Sequence, residues 1–157
     1  MKTLEIRWQR LLDAQGRTCD RCGATEQAVR QAAADLAQAL HVLGIEVQLK
    51  VHQLDPARFA QAPLESNRLW IADAPLEHWL GASSGRSRCC SACGDADCRT
   101  LQLGEQVYEA IPAELILRAG LLAAASLLDD RPSACCPSEP QAAVDTGCCS
   151  RTEPAGP

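Results

Sequence analysis

Apolar and polar residues alternate from Thr3 to Trp8, with Leu4, Ile6 and Trp8 on one side, and this predicts a strand. Asp13 to Thr18 reads as a loop broken at Gly16. Thr25 and Glu26 then open the clearest helix of the chain. Val29, Ala33, Leu36, Leu40 and Leu43 recur every three or four residues along one stripe, and Gly44 supplies the stop. Ile45, Val47, Leu49 and Val51 alternate strictly, predicting a second strand. Pro56 to Pro63 carries only a weak helical pattern. Arg68 to Ala72 predicts a third strand, Asp73-Ala74-Pro75 a turn, and Leu76 to Leu80 a returning strand with Glu77 and His78 as its polar members.

Ser83 to Asp97 has no periodicity and reads as an inserted loop rich in Gly, Ser and Cys. Strand-like alternation resumes from Thr100 to Val107, interrupted at Gly104. Pro112 suits a first helical position, and Leu115, Ile116, Ala119, Leu122, Ala123 and Leu127 mark a closing helix. From Asp129 the patterning collapses into Pro-punctuated sequence, predicting a disordered tail.

A crossover helix between the first two strands implies a parallel pair, to which a later hairpin adds antiparallel strands. The expected fold is therefore α/β: a thioredoxin-like mixed sheet flanked by helices. It would occupy residues 1–128, with a Cys-rich loop at 81–99 and a tail at 129–157.

Composition sharpens this picture in two respects. Only five residues are aromatic, so the core must be built from Leu, Val, Ile and Ala, and the formal charge of −5 leaves no basic footprint for nucleic acid. Residues 1–10 carry Lys2, Glu5, Arg7 and Arg10 and lack the apolar stretch of a signal peptide; the most apolar run, Leu115 to Leu128, is interrupted by Arg118. A cytoplasmic protein without membrane contact is expected.

Ten cysteines then dominate the candidate chemistry. In a reducing compartment, clustered thiols point to metal binding or redox work more than to structural bridges. Cys19-Asp20-Arg21-Cys22-Gly23 lies between the first strand and the long helix. There the helix N-terminus and Arg21 would lower the pKa of the first thiol while Asp20 opposes them. In one reading Cys19 is an exposed nucleophile and Cys22 the resolving thiol. In another, Cys19-x-x-Cys22-Gly and Cys90-x-x-Cys93-Gly are two knuckles that close a four-sulfur zinc site.

Cys89, Cys90, Cys93 and Cys98 place four thiols within ten residues, with Asp95 and Asp97 as turn residues. Cys135-Cys136 and Cys148-Cys149 add two vicinal pairs in the tail, suited to catching thiophilic ions. All ten cysteines are thus candidate ligands for zinc, copper(I), mercury(II) or arsenite. His41, His52 and His78 read as surface or half-buried histidines, and Trp70 and Trp79 as core.

Several segments carry a family resemblance: Ile6 to Leu11, Thr18 to Gly23, Leu64 to Ile71, Cys89 to Arg99 and Ala110 to Ile116. From about residue 2 to 128 the chain resembles an uncharacterised, thioredoxin-like prokaryotic family, domain of unknown function 2703. The resemblance implies the fold and no settled activity. Thioredoxins place a cis-proline before the third strand, where this chain has Asn67. A cis bond before a non-proline residue costs roughly 2.5–4 kcal/mol, so a trans peptide is expected and ordinary dithiol exchange is disfavoured.

The leading expectation is a thiol protein that binds or handles a thiophilic metal or metalloid, in a heavy-metal or arsenic-resistance setting, with redox release through a thiol reductant or a redox partner protein. The alternatives are a thiol–disulfide oxidoreductase using Cys19 and Cys22, and a structural four-cysteine zinc site.

Overall fold

The computed structural model describes residues 1–89 and 93–129. Residues 130–157 of the predicted tail and Cys90 lie outside the described residues.

Strand β1 (Lys2–Leu11) is followed by helix α1 (Asp20–His41) and strand β2 (Ile45–Leu54). The two strands pair in parallel from Lys2–Ile45 to Leu11–Leu54, as the crossover helix requires. A short helix α2 (Pro56–Gln61) and a 3₁₀ turn (Pro63–Glu65) lead to β3 (Arg68–Ile71), which runs antiparallel to β1 and pairs with the two-residue β4 (Ala74–Pro75). The first sheet therefore has the order β2-β1-β3-β4. Helix α3 (Leu76–Leu80) connects it to a second sheet, the antiparallel meander β5 (Ser83–Arg88), β6 (Asp97–Leu103) and β7 (Gln106–Tyr108), and α4 (Ala113–Leu128) follows. The whole is a mixed α/β fold, and no helix among the described residues is long and apolar enough to cross a membrane.

The alternation of β1 divides the first sheet into two chemically different faces. Leu4, Ile6 and Trp8 are fully buried and share their face with Leu69 and Ile71 of β3. Helices α1 and α4 pack together on the core, where Val29, Ala32, Leu36 and Leu40 of α1 meet Ile116, Ala119, Ala123 and Ala124 of α4. The close approach depends on Gly120, since a Cβ there would run into Leu36 Cδ1. The other face carries Arg7, Gln9, Lys50, His52, Arg68 and Trp70, all exposed or half-buried.

Five expectations need correction. Helix α1 begins at Asp20, so the first cysteine pair occupies its N-cap and first turn and does not precede it. Leu43 is 51% exposed and Leu122 is 44% exposed, so neither belongs to the buried stripes; α1 ends at His41, two residues short of Leu43. Leu76 to Leu80 is helical, because Leu76 and Leu80 are both buried one turn apart. Gly81 then closes that turn in the left-handed region at φ 62°. Ser83 to Arg88 is a strand despite lacking apolar alternation; its order comes from pairing with β6, whose Cys98, Thr100 and Leu101 are buried. Trp70 lies half-buried on the polar face outside the core.

Filling the helix contact tests this packing. Gly120→Val is expected to lower stability by roughly 1–3 kcal/mol in urea unfolding. Leu36→Ala, harmful alone, should restore part of that loss in the double variant; purely additive effects would show that the two positions do not meet.

Candidate metal centre

Cys19 is the N-cap residue of α1, in extended conformation, and its carbonyl accepts the first helical bond from Gly23 N–H at 2.8 Å. Its side chain is therefore carried at the positive end of a 22-residue helix. The other contributors come from the β5–β6 connection. Cys89 follows β5, Cys98 sits in β6 opposite Ser87, and Cys93 lies in the intervening turn. Two backbone bonds shape that turn: Cys89 N–H to Ala96 O at 3.2 Å and Ala96 N–H to Cys93 O at 3.3 Å.

The sulfurs of Cys19, Cys89, Cys93 and Cys98 all lie within 4.8 Å of one another, and those of Cys93 and Cys98 are 3.6 Å apart. A tetrahedral ion with bonds of about 2.3 Å to sulfur needs ligands roughly 3.8 Å apart, so the cluster is close to the size of a four-sulfur site. The four cysteines can hold a metal ion. No carboxylate or imidazole belongs to this set; Asp95 is exposed and Asp97 pairs with Arg86 at 3.8 Å.

The first motif thus contributes one sulfur and the second loop three. Cys89 and Cys98 join the set although the two-knuckle reading did not use them, and Cys90 lies outside the described residues. Cys22 is a neighbour of the set and not a member: it hydrogen-bonds to Cys19 and lies 3.8 Å from Ser66 Oγ. The tail cysteines Cys135, Cys136, Cys148 and Cys149 fall outside the described residues. All five described cysteines are free thiols and buried. Cys19 is only 2% exposed, so it is not the solvent-facing nucleophile expected from its place in the motif.

Electrostatically, Cys19 is set apart from its neighbours Cys22, Cys93 and Cys98. Hydrogen bonds from the thiols of Cys22 and Cys98 hold its pKa far below the usual thiol range, against the upward push of burial, with help from Cys22 N–H and Cys89. The neighbours move the opposite way. Cys22 is raised by its hydrogen bond to Cys19, by burial and by the Cys19 charge, and Cys98 by its bond to Cys19 and by burial. Burial, first, and then the Cys89 hydrogen bond push Cys93 up to about 12.

The largest influences on the Cys19 thiol are its neighbouring cysteines and burial, while Arg21 is held by partners elsewhere. Its guanidinium, 12% exposed, donates to Ser87 Oγ at 2.6 Å and Arg88 O at 2.8 Å and pairs with Glu109 at 2.8 Å. It therefore clamps the end of β5 to the first turn of α1, directly before Cys89. Sequence reasoning also missed Ser66, which is buried and accepts Leu11 N–H at 3.0 Å beside Cys22. Its neighbour Asn67 is buried, with φ 60°, and accepts from Trp8 Nε1 at 3.2 Å. Among the described residues there is no cis peptide bond, in line with the expectation for Asn67.

Fold and site together define a mixed α/β protein with a buried four-cysteine centre between a helix N-terminus and a β-hairpin loop. The chain belongs to the family described as Domain of unknown function (DUF2703), whose model matches residues 4–120. It is 37% identical over 113 residues to an uncharacterized protein of Archaeoglobus fulgidus, covering 72% of this chain and 82% of that one. No solved structure matches.

The clamp can be tested without any ion. Losing a charge-assisted hydrogen bond that closes a segment should raise its open population about tenfold or more. Arg21→Ala is therefore expected to speed alkylation of Cys19 and Cys89 by that factor, read by mass spectrometry, while Arg21→Lys recovers part of the protection. Unchanged rates would remove Arg21 from this role.

Proposed function

We propose that this chain binds one thiophilic metal ion through Cys19, Cys89, Cys93 and Cys98. The observation that carries the reading is the convergence of those four sulfurs within 4.8 Å. Closed coordination by four buried cysteines is the chemistry of a tightly held tetrahedral ion, with zinc(II) first among the candidates. Copper(I), mercury(II) and arsenite remain thiophilic competitors that use fewer sulfurs. On this reading the ion joins the helix N-terminus to the second sheet, and its removal loosens both.

The framework around it reads as thioredoxin-like. Support comes from the sheet order β2-β1-β3-β4, the parallel β1–β2 pair, antiparallel β3 and a Cys-x-x-Cys at the start of α1. One observation favours a second reading, thiol–disulfide exchange: Cys22 is hydrogen-bonded to Cys19. The burial of Cys19 favours the metal.

Metal analysis of protein purified under reducing conditions separates the readings. About one ion per chain is expected. Cys19→Ser or Cys98→Ser should lose it, while Cys22→Ser keeps it. Protein that carries and binds no thiophilic ion, yet forms a reversible Cys19–Cys22 disulfide, would overturn the metal reading in favour of exchange.

The pH dependence has a definite sign. Cys93 and Cys98 have raised pKa values and are neutral near pH 7, so a tetrathiolate ion must displace at least these two protons. Apparent affinity should therefore fall by about a hundredfold for each pH unit lowered near neutrality, one factor of ten per proton. A competition titration against a chromogenic chelator measures it, and a flat profile contradicts the assignment.

A further inference from the structure

The polar face of the first sheet holds an open cleft that plays no part in the cysteine centre. Register places its residues: Gln9 pairs with His52 across β1 and β2, and Arg7 pairs with Trp70 across β1 and β3. These side chains share the face opposite Leu4, Ile6 and Trp8. Helix α2 contributes Arg58 and Gln61 at its end, closing a cleft of about 470 Å³, within the range of roughly 300–1,000 Å³ typical of small-molecule sites.

Charge on this face is unevenly compensated. Glu65 pairs with Arg68 at 2.5 Å and Glu5 with Lys50; the longer-range pull of Glu5 reaches Arg7 and His52. Neither Arg7 nor Arg58 forms an ion pair among the described residues. The Arg7 guanidinium is instead laid against the Trp70 ring, 4.7 Å from its centre, with Arg68 at the same distance. Such stacking fixes the direction of a guanidinium while leaving its donors for another partner. Glu65 also lines the cleft, but its carboxylate is taken by Arg68 and its carbonyl accepts from Gln9 Nε2 at 2.9 Å, so in a chain whose formal charge is −5 the two arginines without an ion pair stand beside His52 and Gln61 as the cleft's uncompensated cations.

We propose that this cleft is a binding site for the phosphate group of a small phosphorylated molecule, held by Arg7 and Arg58 with His52, Gln9 and Gln61 at its rim. Two arginines converging on one space suit phosphate oxygens, which accept paired N–H bonds from a guanidinium. The cleft exceeds what inorganic phosphate alone would fill, so the ligand carries a further polar body. The site is independent of any ion at the cysteines.

Calorimetric titration of the full chain with glycerol 3-phosphate, inorganic phosphate and succinate tests this. Expected are saturable one-site binding of glycerol 3-phosphate in the submillimolar range, weaker inorganic phosphate, and movement of the Trp70 indole N–H resonance on titration. Arg58→Ala, on an exposed position of a short helix, should weaken binding about tenfold or more, as should Arg7→Gln. Absence of saturation in the millimolar range, binding that survives Arg58→Ala unchanged, or a preference for succinate would each overturn the assignment.

Discussion

The site depends on one convergence: a helix N-terminus and a β-hairpin loop bring their cysteines to the same point. Cys19 arrives on the first sheet's crossover helix, and Cys89, Cys93 and Cys98 arrive on the second sheet. The two sheets share no hydrogen-bonded edge, so their relative placement must come from side chains. The cysteines supply part of it. Arg21 supplies another, through Ser87, Arg88 O and Glu109. On the far side, Arg99 pairs with Glu77 at 2.5 Å and donates to Leu64 O at 3.1 Å, tying β6 to α3 and the 3₁₀ turn.

These ties are polar, yet most are shielded from water. Arg21, Arg99 and Glu77 are each under 15% exposed, and the four clustered cysteines under 10%. A half-met polar group in such a place costs free energy; Glu77 meets Arg99 through Oε1, while its buried Oε2 has no partner among the described residues. The same cost explains the buried Thr25, which accepts Ile111 N–H at 3.1 Å and fixes the approach to α4. In the cysteine cluster the Cys19 thiol is pushed down by hydrogen bonds from Cys22 and Cys98, while those two neighbours are pushed up. A soft cation placed among them would replace those protons as the source of neutralisation.

The first sheet separates two kinds of chemistry by the pleat alone. Leu4, Ile6 and Trp8 face the helices, while Arg7 and Gln9 face the opposite way. Sulfur ligands gather at the end of a helix on the apolar side, and unpaired arginines gather on the polar side.

Much of this was legible in the chain. The strict alternation of β1 and β2 and the stripe of α1 announce themselves because burial of one face sets a period of two or of three to four residues. The cysteine clusters were equally visible, since so many thiols within so few residues have few other uses. Four features escaped: the strand at Ser83–Arg88, the helix at Leu76–Leu80, the selection of Cys19 over Cys22, and the clamp made by Arg21. None has a period. A polar strand is ordered by its partner β6, and a five-residue helix by two buried leucines and a glycine stop. Which sulfur of a Cys-x-x-Cys joins a distant loop depends on the angle at which a helix meets a hairpin. Local sequence specified the elements and the chemistry that they carry. Only the docking of one sheet against the other decided which thiols meet, because that placement is set by contacts between residues distant along the chain.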